Sequence, residues 1–132
     1  MNEKTLKFWV DSSDYDLETM EAMFETERLL YVGFMAHQSI EKILKGFYVK
    51  LYKEIPPFTH NLILLAEKNQ LKNELSEDQI ELLSLLNPLN IEARYPKYKD
   101  DLLKSLSKDK CLEIISKTKN LQKWVKSKLE IV

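Results

Sequence analysis

A series of ionisable and aromatic residues recurs along one edge of a predicted helix in the middle of the chain. His37, Glu41 and Lys45 follow one another at four-residue steps, and Tyr48 and Tyr52 continue the series. Because successive residues of a helix turn by about 100°, these side chains lie along one edge of it. The Glu41–Lys45 spacing is that of an intrahelical ion pair on a surface, but the same groups could also orient cations toward an anion.

Two further cations, Lys42 and Arg94, bear on the choice between these alternatives. If Lys42, Lys45 and Arg94 all lie near Glu41, the single carboxylate cannot neutralise all of their positive charge. If Arg94 points back at the central helix, Glu41 can orient its guanidinium group, which leaves Lys42 or Lys45 to meet an anion. A guanidinium group presents a planar fork of donors that matches phosphate or carboxylate oxygens. We therefore predict an anion-binding site here, with the purely structural pairing as the alternative.

His60 and Tyr95 are the remaining candidates for this site. His60 follows Thr59, a predicted helix N-cap, so its ring either satisfies a neighbouring backbone group or contacts a ligand. Tyr95 either stacks on a base or packs against the rest of the protein. Cys111 lies on an apolar stripe and is interpreted as a small core residue rather than a nucleophile.

The composition limits the classes of function. The chain has 132 residues, 44% of them hydrophobic and 31% charged, with a net charge of −1. These values are typical of one globular domain, which we place over residues 1–132, and they exclude a global basic field that would attract nucleic acid. One cysteine excludes an internal disulfide and a cysteine-cluster metal site. Without a bilayer-length apolar run or a secretory h-region, we predict a cytoplasmic protein with no membrane contact, metal or cofactor.

The apolar residues recur with helical rather than strand periodicity, and only two glycines are present. Caps are predicted at Thr59, Ser76 and Ser107, and a break at Pro56-Pro57. Asn87-Pro88 has the pattern of a cap followed by proline at the first helical position, which predicts a kink and one further short helical turn. The predicted helices cover about 3–25, 32–53, 60–70, 77–94 with the kink, and 107–129, with a short helical piece possible within 97–106. The sequence thus predicts an all-α fold, a four-helix up-and-down bundle plus a short additional helix.

Two positions within the predicted helices are unusual. Asp16 falls on the apolar face of the first helix, so it must face a cation or hydrogen-bond donors, or lie at the margin of that face. Gly46 lies inside the central helix, where glycine costs about 1 kcal/mol relative to alanine. Either another helix packs closely on Gly46, or selection at this position was weak.

Four segments of the chain together resemble the HEPN domain, a prokaryotic helical family. They occur in the family's order and, with a fitting final helix, cover nearly the whole chain. The segments are Trp9-x3-Ser13-x2-Asp16-Leu17-x2-Met20, His37-Gln38-Ser39-Ile40-Glu41-Lys42-Ile43-Leu44-Lys45-Gly46, Thr59-His60-Asn61-Leu62 and Ala93-Arg94-Tyr95-Pro96.

The resemblance implies a HEPN-like bundle that forms two-fold homodimers. It also implies a minimal nucleotidyltransferase as partner, in a toxin–antitoxin pair or as the enzyme whose substrate this chain binds. Some HEPN proteins are metal-independent ribonucleases with an arginine followed, after four to six residues, by a histidine. Arg94 matches the arginine, but no histidine follows His60 in this chain. The sequence departs from the nuclease pattern at its defining residue.

The leading hypothesis is therefore a non-catalytic module that binds a nucleotide or another polyphosphate. The residues assigned to that ligand are Glu41, Lys42, Lys45, His60, Arg94 and Tyr95. The alternative is a ribonuclease toxin that uses Arg94 with an unconventional base. RNA remains a conceivable ligand but is not favoured.

Overall fold

The computed structural model describes residues 3–92, 95, 100–101 and 104–130, and every regular element in these ranges is helical. Helical residues also occur at 100–101 and 104–105, within the connection predicted to hold a short helical piece. The predicted all-α bundle is confirmed. Its helices are α1 (Glu3–Glu25), α2 (Leu29–Tyr52), α3 (Leu62–Lys68), α4 (Glu77–Leu86), α5 (Leu89–Glu92) and α6 (Lys108–Leu129), with a 3₁₀ turn at Lys72–Glu74.

Two predicted N-caps are confirmed. The Ser76 hydroxyl accepts from the Gln79 amide, and the Gln79 side chain accepts in return from the Ser76 amide. This reciprocal pair is a capping box, which satisfies two donors that the start of α4 would otherwise leave unpaired. Ser107 accepts from the Lys110 amide and begins α6 in the same way. In both cases a serine accepts from the backbone amide three residues later, and this serine marks the start of the helix.

The third helix begins later than predicted, because the cap is Asn61 rather than Thr59. The Thr59 hydroxyl accepts from the Asn61 amide, so it forms a local turn before the helix. The Asn61 side chain then accepts from the amides of Ile63 and Leu64. The helix also ends at Lys68 rather than Gln70, which has a positive φ of 61°.

Asn87 has a different role from the one predicted, although the chain does turn there and α5 follows. Its backbone is right-handed helical, and its amide donates to the Leu83 carbonyl, so it ends α4 instead of capping α5. Its side chain accepts from the Leu62 amide and donates to Asn61. Asn87 thus joins the end of α4 to the start of α3. The predicted end of the short helix, Arg94, lies outside the described residues.

Helix α2 runs through the centre of the molecule and contacts every other helix described here. Trp9 of α1 meets Gly46 of α2, whereas Ser13 meets Ser39, so the two helices are antiparallel. The fully buried Ser13 and Ser39 each donate to the other's backbone carbonyl, at 2.7 and 3.0 Å. Gln122 of α6 donates to Ser13 and ties the third long helix to this contact. Small polar residues therefore bring the three helices together with their donors satisfied.

Gly46 is explained by close packing, since a Cβ atom there would lie 3.0 Å from the Trp9 Cβ. We expect Gly46→Val to lower the free energy of unfolding by about 1–3 kcal/mol, because two extra methyl groups must push α1 away from α2. Urea denaturation measures the change. Ala22→Val on the exposed side of α1 is the control, since it alters helix propensity without a buried contact. An equal loss in both variants would contradict the packing explanation.

Candidate functional site

Glu41 is the centre of a cluster built from α2 and from the loop before α3. Its side chain is only 7% exposed, and both of its oxygens are occupied. Oε1 lies 2.7 Å from Nδ1 of His60, and Oε2 accepts from the Lys45 ammonium group at 3.1 Å. The cluster thus unites three of the residues predicted from the sequence, namely Glu41, Lys45 and His60.

The pairing with Glu41 determines how the His60 ring is used. An ionised carboxylate can only accept hydrogen bonds, so Nδ1 of His60 carries a proton and donates it. Nε2 has no hydrogen-bond partner among the described residues, and the His60 side chain is 56% exposed. The outer nitrogen is therefore available to an incoming group, as acceptor when the ring is neutral and as donor when it is protonated.

His37 holds the backbone of the same residue. It is fully buried, and its Nε2 lies 2.8 Å from the His60 carbonyl oxygen, to which it must donate. His37 and Glu41 are one helical turn apart on α2. Through them the helix bonds to both the backbone carbonyl and the ring of His60. The role of His37 is therefore structural, since it holds the backbone of His60 in place. The clamp limits the motion of the His60 ring, a requirement for a site with defined geometry.

A groove opens beside His60, where the loop before α3 meets the turn between α4 and α5. It has a volume of about 400 Å³ and is lined by His60, Asn61, Asn87, Pro88 and Asn90. Small-molecule sites usually fall between about 300 and 1,000 Å³. Gln38 of α2 donates to the Asn90 side chain at 2.9 Å and so holds this lining residue in place. The groove beside the His60 imidazole is thus large enough for a small molecule.

Lys42 is separated from this cluster. Its ammonium group lies 2.7 Å from Oδ2 of Asp16 on α1, and the Asp16 side chain is only 6% exposed. Of the alternatives left open for Asp16, the structure shows the one in which this residue faces a cation. Lys42 directly follows Glu41, so it points about 100° away around α2 and meets a different neighbour. Its charge is balanced in this position.

The remaining predicted site residues are Arg94 and Tyr95, which follow α5 in the sequence. Tyr95 is exposed. Arg94 lies outside the described residues, and so does its predicted contact with Glu41. The groove-lining Asn87 and Asn90, together with Gln38, were missed by the sequence analysis. Their only local signal is the Asn87-Pro88 turn, which does not indicate what the asparagines would face.

The described part of the chain bears on three other kinds of function: a cysteine nucleophile, a metal site and a membrane span. Burial raises the pKa of the Cys111 thiol, which disfavours the nucleophilic thiolate and fits a core residue. Within the described ranges, no three His, Cys, Asp or Glu side chains are grouped so that they could hold a metal ion. None of the described helices combines the length and apolar character needed to cross a membrane.

A comparison with protein families identifies the domain. The family model described as HEPN domain matches residues 6–128, which is nearly the whole chain. The chain belongs to the HEPN family. This confirms the resemblance found in the sequence, and the HEPN-like segments around Glu41 and His60 are the ones that meet in the cluster.

The crystal structure of TT1696 from Thermus thermophilus has the same fold as this HEPN domain. The two chains superpose with a TM-score of 0.77 at 19% sequence identity, over 93% of this chain and 97% of that one. No curated protein matches the sequence significantly. At this identity the likeness establishes the helical architecture, and the role of the site must be argued from its own geometry.

Proposed function

We propose that this HEPN domain is a non-catalytic module that binds a nucleotide or another polyphosphate in the groove beside His60. The observation that carries the proposal is the half-exposed His60 imidazole, which Glu41 orients at 2.7 Å and which lines a groove of about 400 Å³. When its ring is protonated, His60 can donate from Nε2 to a phosphate oxygen while Nδ1 donates to Glu41. The exposed Asn61 side chain, which lines the same groove, can offer its amide nitrogen to a polar edge of a sugar or base.

The charges of the cluster favour an anion when the His60 ring is protonated. Glu41 then faces two cations, His60 and Lys45, so one positive charge is left unbalanced. We assign Arg94 to the same anion from its sequence context and Tyr95 to the base or the rim of the site. The charge of Lys42 is neutralised by Asp16, so of the proposed ligand-binding residues Lys42 is expected to contribute least to binding the anion.

Thermal unfolding in the presence of nucleoside triphosphates tests the proposal. A ligand that binds only the folded state stabilises it by RT ln(1 + [L]/Kd), or about 1.4 kcal/mol at ten times Kd. We expect ATP at millimolar concentration to raise Tm by a few degrees, and His60→Ala to remove most of this shift because the oriented donor is lost. Inorganic tripolyphosphate distinguishes recognition of phosphate from recognition of the whole nucleotide.

Arginine variants supply a matched control. Arg94→Ala should weaken binding, since it removes the proposed phosphate contact, whereas Arg28→Ala should not, because Arg28 is exposed at the start of α2. The two variants remove the same charge and differ only in place. If neither ATP nor tripolyphosphate shifts Tm in the wild type, or if both variants bind equally well, the proposed site is wrong.

We further propose, from membership of the family, that the domain forms a homodimer and acts with a separate nucleotidyltransferase, as a toxin–antitoxin component or a substrate-binding subunit. Light scattering should give twice the monomer mass. Incubation with structured RNA and a chelator separates this role from that of a ribonuclease. RNA cleavage that Arg94→Ala abolishes would replace the non-catalytic assignment by the enzymatic one.

A further inference from the structure

Phe58 is an exposed aromatic residue two positions before the groove-lining His60. It is 98% exposed, more than any other large apolar residue in the described part of the chain. Complete burial of such a side chain would contribute about 1.5–3 kcal/mol, so this ring contributes little to the stability of the isolated fold. Single exposed apolar residues are common, and it is the position of Phe58 that indicates a role.

Phe58 lies between two anchored residues. On one side Pro56 is buried and Pro57 is half-buried, and the proline rings restrict the backbone before Phe58. On the other side His60 is gripped by His37 and Glu41. Two residues of chain span at most about 7 Å, so the Phe58 Cα lies within that distance of the Cα of groove-lining His60. The loop therefore presents an exposed aromatic ring, on a restrained stretch of backbone, within a short distance of the groove-lining His60.

We infer that Phe58 is the stacking residue for the base of a nucleotide whose phosphates meet His60. This inference rests on the proposed nucleotide site and names the part of the ligand that Phe58 recognises. Aromatic side chains stack on bases of any sequence because every base has a π-face. Because two prolines and a held histidine already restrict the backbone on either side of Phe58, stacking of a base adds little cost for ordering this backbone. Tripolyphosphate, which has no base, cannot use this contact.

Calorimetric titrations with ATP and with tripolyphosphate test the inference. We expect the wild type to bind ATP at least about tenfold more tightly than tripolyphosphate, and Phe58→Ala to remove that advantage while tripolyphosphate affinity stays within about twofold. Phe58→Trp should retain ATP binding and add a fluorescence change on titration. The fully exposed ring should leave Tm in the absence of ligand nearly unchanged on truncation.

Phe8→Ala is the matched control, since Phe8 is also an exposed phenylalanine but belongs to α1 rather than to the loop. Equal ATP affinity in the wild type and Phe58→Ala would overturn the stacking role while leaving the phosphate site intact. Failure of the wild type to bind either ligand would overturn both proposals. If Phe58→Ala instead converts a dimer to a monomer without affecting ATP, Phe58 belongs to a protein interface and the inference is wrong.

Discussion

Glu41→Ala is expected to lower the free energy of unfolding by about 3–5 kcal/mol, the cost typical of removing one partner from a buried ion pair. Lys45, whose side chain is only 9% exposed, would lose the carboxylate that accepts from it at 3.1 Å. The His60 ring would lose its anchor at the same time. Urea denaturation followed by circular dichroism gives the change directly.

The apolar double variant Glu41→Leu/Lys45→Met removes both charges of the ion pair. Its free energy of unfolding separates the cost of leaving Lys45 buried without a partner from the contribution of the ion pair itself. We expect it to be more stable than Glu41→Ala, because no buried charge remains unpaired. Glu18→Ala on the exposed face of α1 is the control and should change stability by less than about 0.5 kcal/mol. A loss below about 1 kcal/mol in Glu41→Ala would mean that water reaches Lys45 and that the cluster is not a buried pair.

Lys42→Met is expected to lower the free energy of unfolding by about 2–3 kcal/mol, less than Glu41→Ala. The variant strips Asp16 of a cation 2.7 Å away, and that carboxylate is almost fully buried between α1 and α2. The effect is smaller because the Lys42 side chain is 29% exposed, so water can partly replace it. Adding Asp16→Leu should recover stability by removing the stranded carboxylate.

Lys50→Met, at a half-buried lysine of the same helix, controls for the loss of a positive charge. Nucleotide affinity measured on the Lys42 variant distinguishes its two possible roles. We expect it to change by less than about twofold, since Lys42 is committed to Asp16 rather than to the groove. A strong loss of affinity at unchanged stability would reverse this assignment and return Lys42 to the ligand site.

The two predictions share one geometric cause. Glu41 and Lys42 are adjacent in the sequence, but a helical step of about 100° sends one toward the loop before α3 and the other toward α1. Sequence spacing places Glu41 and Lys45 together, because residues four apart on a helix are neighbours. It does not reveal which neighbouring element each of them meets.

Local signals predicted most of the helix starts, and they were wrong at Thr59 and Asn87. Ser76 and Ser107 both cap as predicted. Thr59 and Asn61 can both cap, and Asn61 prevails, since its side chain accepts from two helix amides while Thr59 accepts from Asn61 itself. Asn87 was interpreted as a cap, but its side chain is taken by the start of α3, which is distant in the sequence.

By itself the sequence determined the all-α class, the approximate limits of the long helices and the HEPN resemblance, because caps, prolines and apolar periodicity act within a few residues of chain. The predicted start of α2 at residue 32 was wrong: the helix begins at Leu29, after Arg28, which makes no side-chain cap that the sequence could reveal. Only the tertiary structure decided that His60 reaches Glu41, that His37 holds the backbone of His60, and that Lys42 turns to Asp16. Each of these contacts joins two residues that are between 19 and 26 positions apart in the sequence. Such pairings depend on the path of the loops and the packing of whole helices, which no short stretch of sequence encodes.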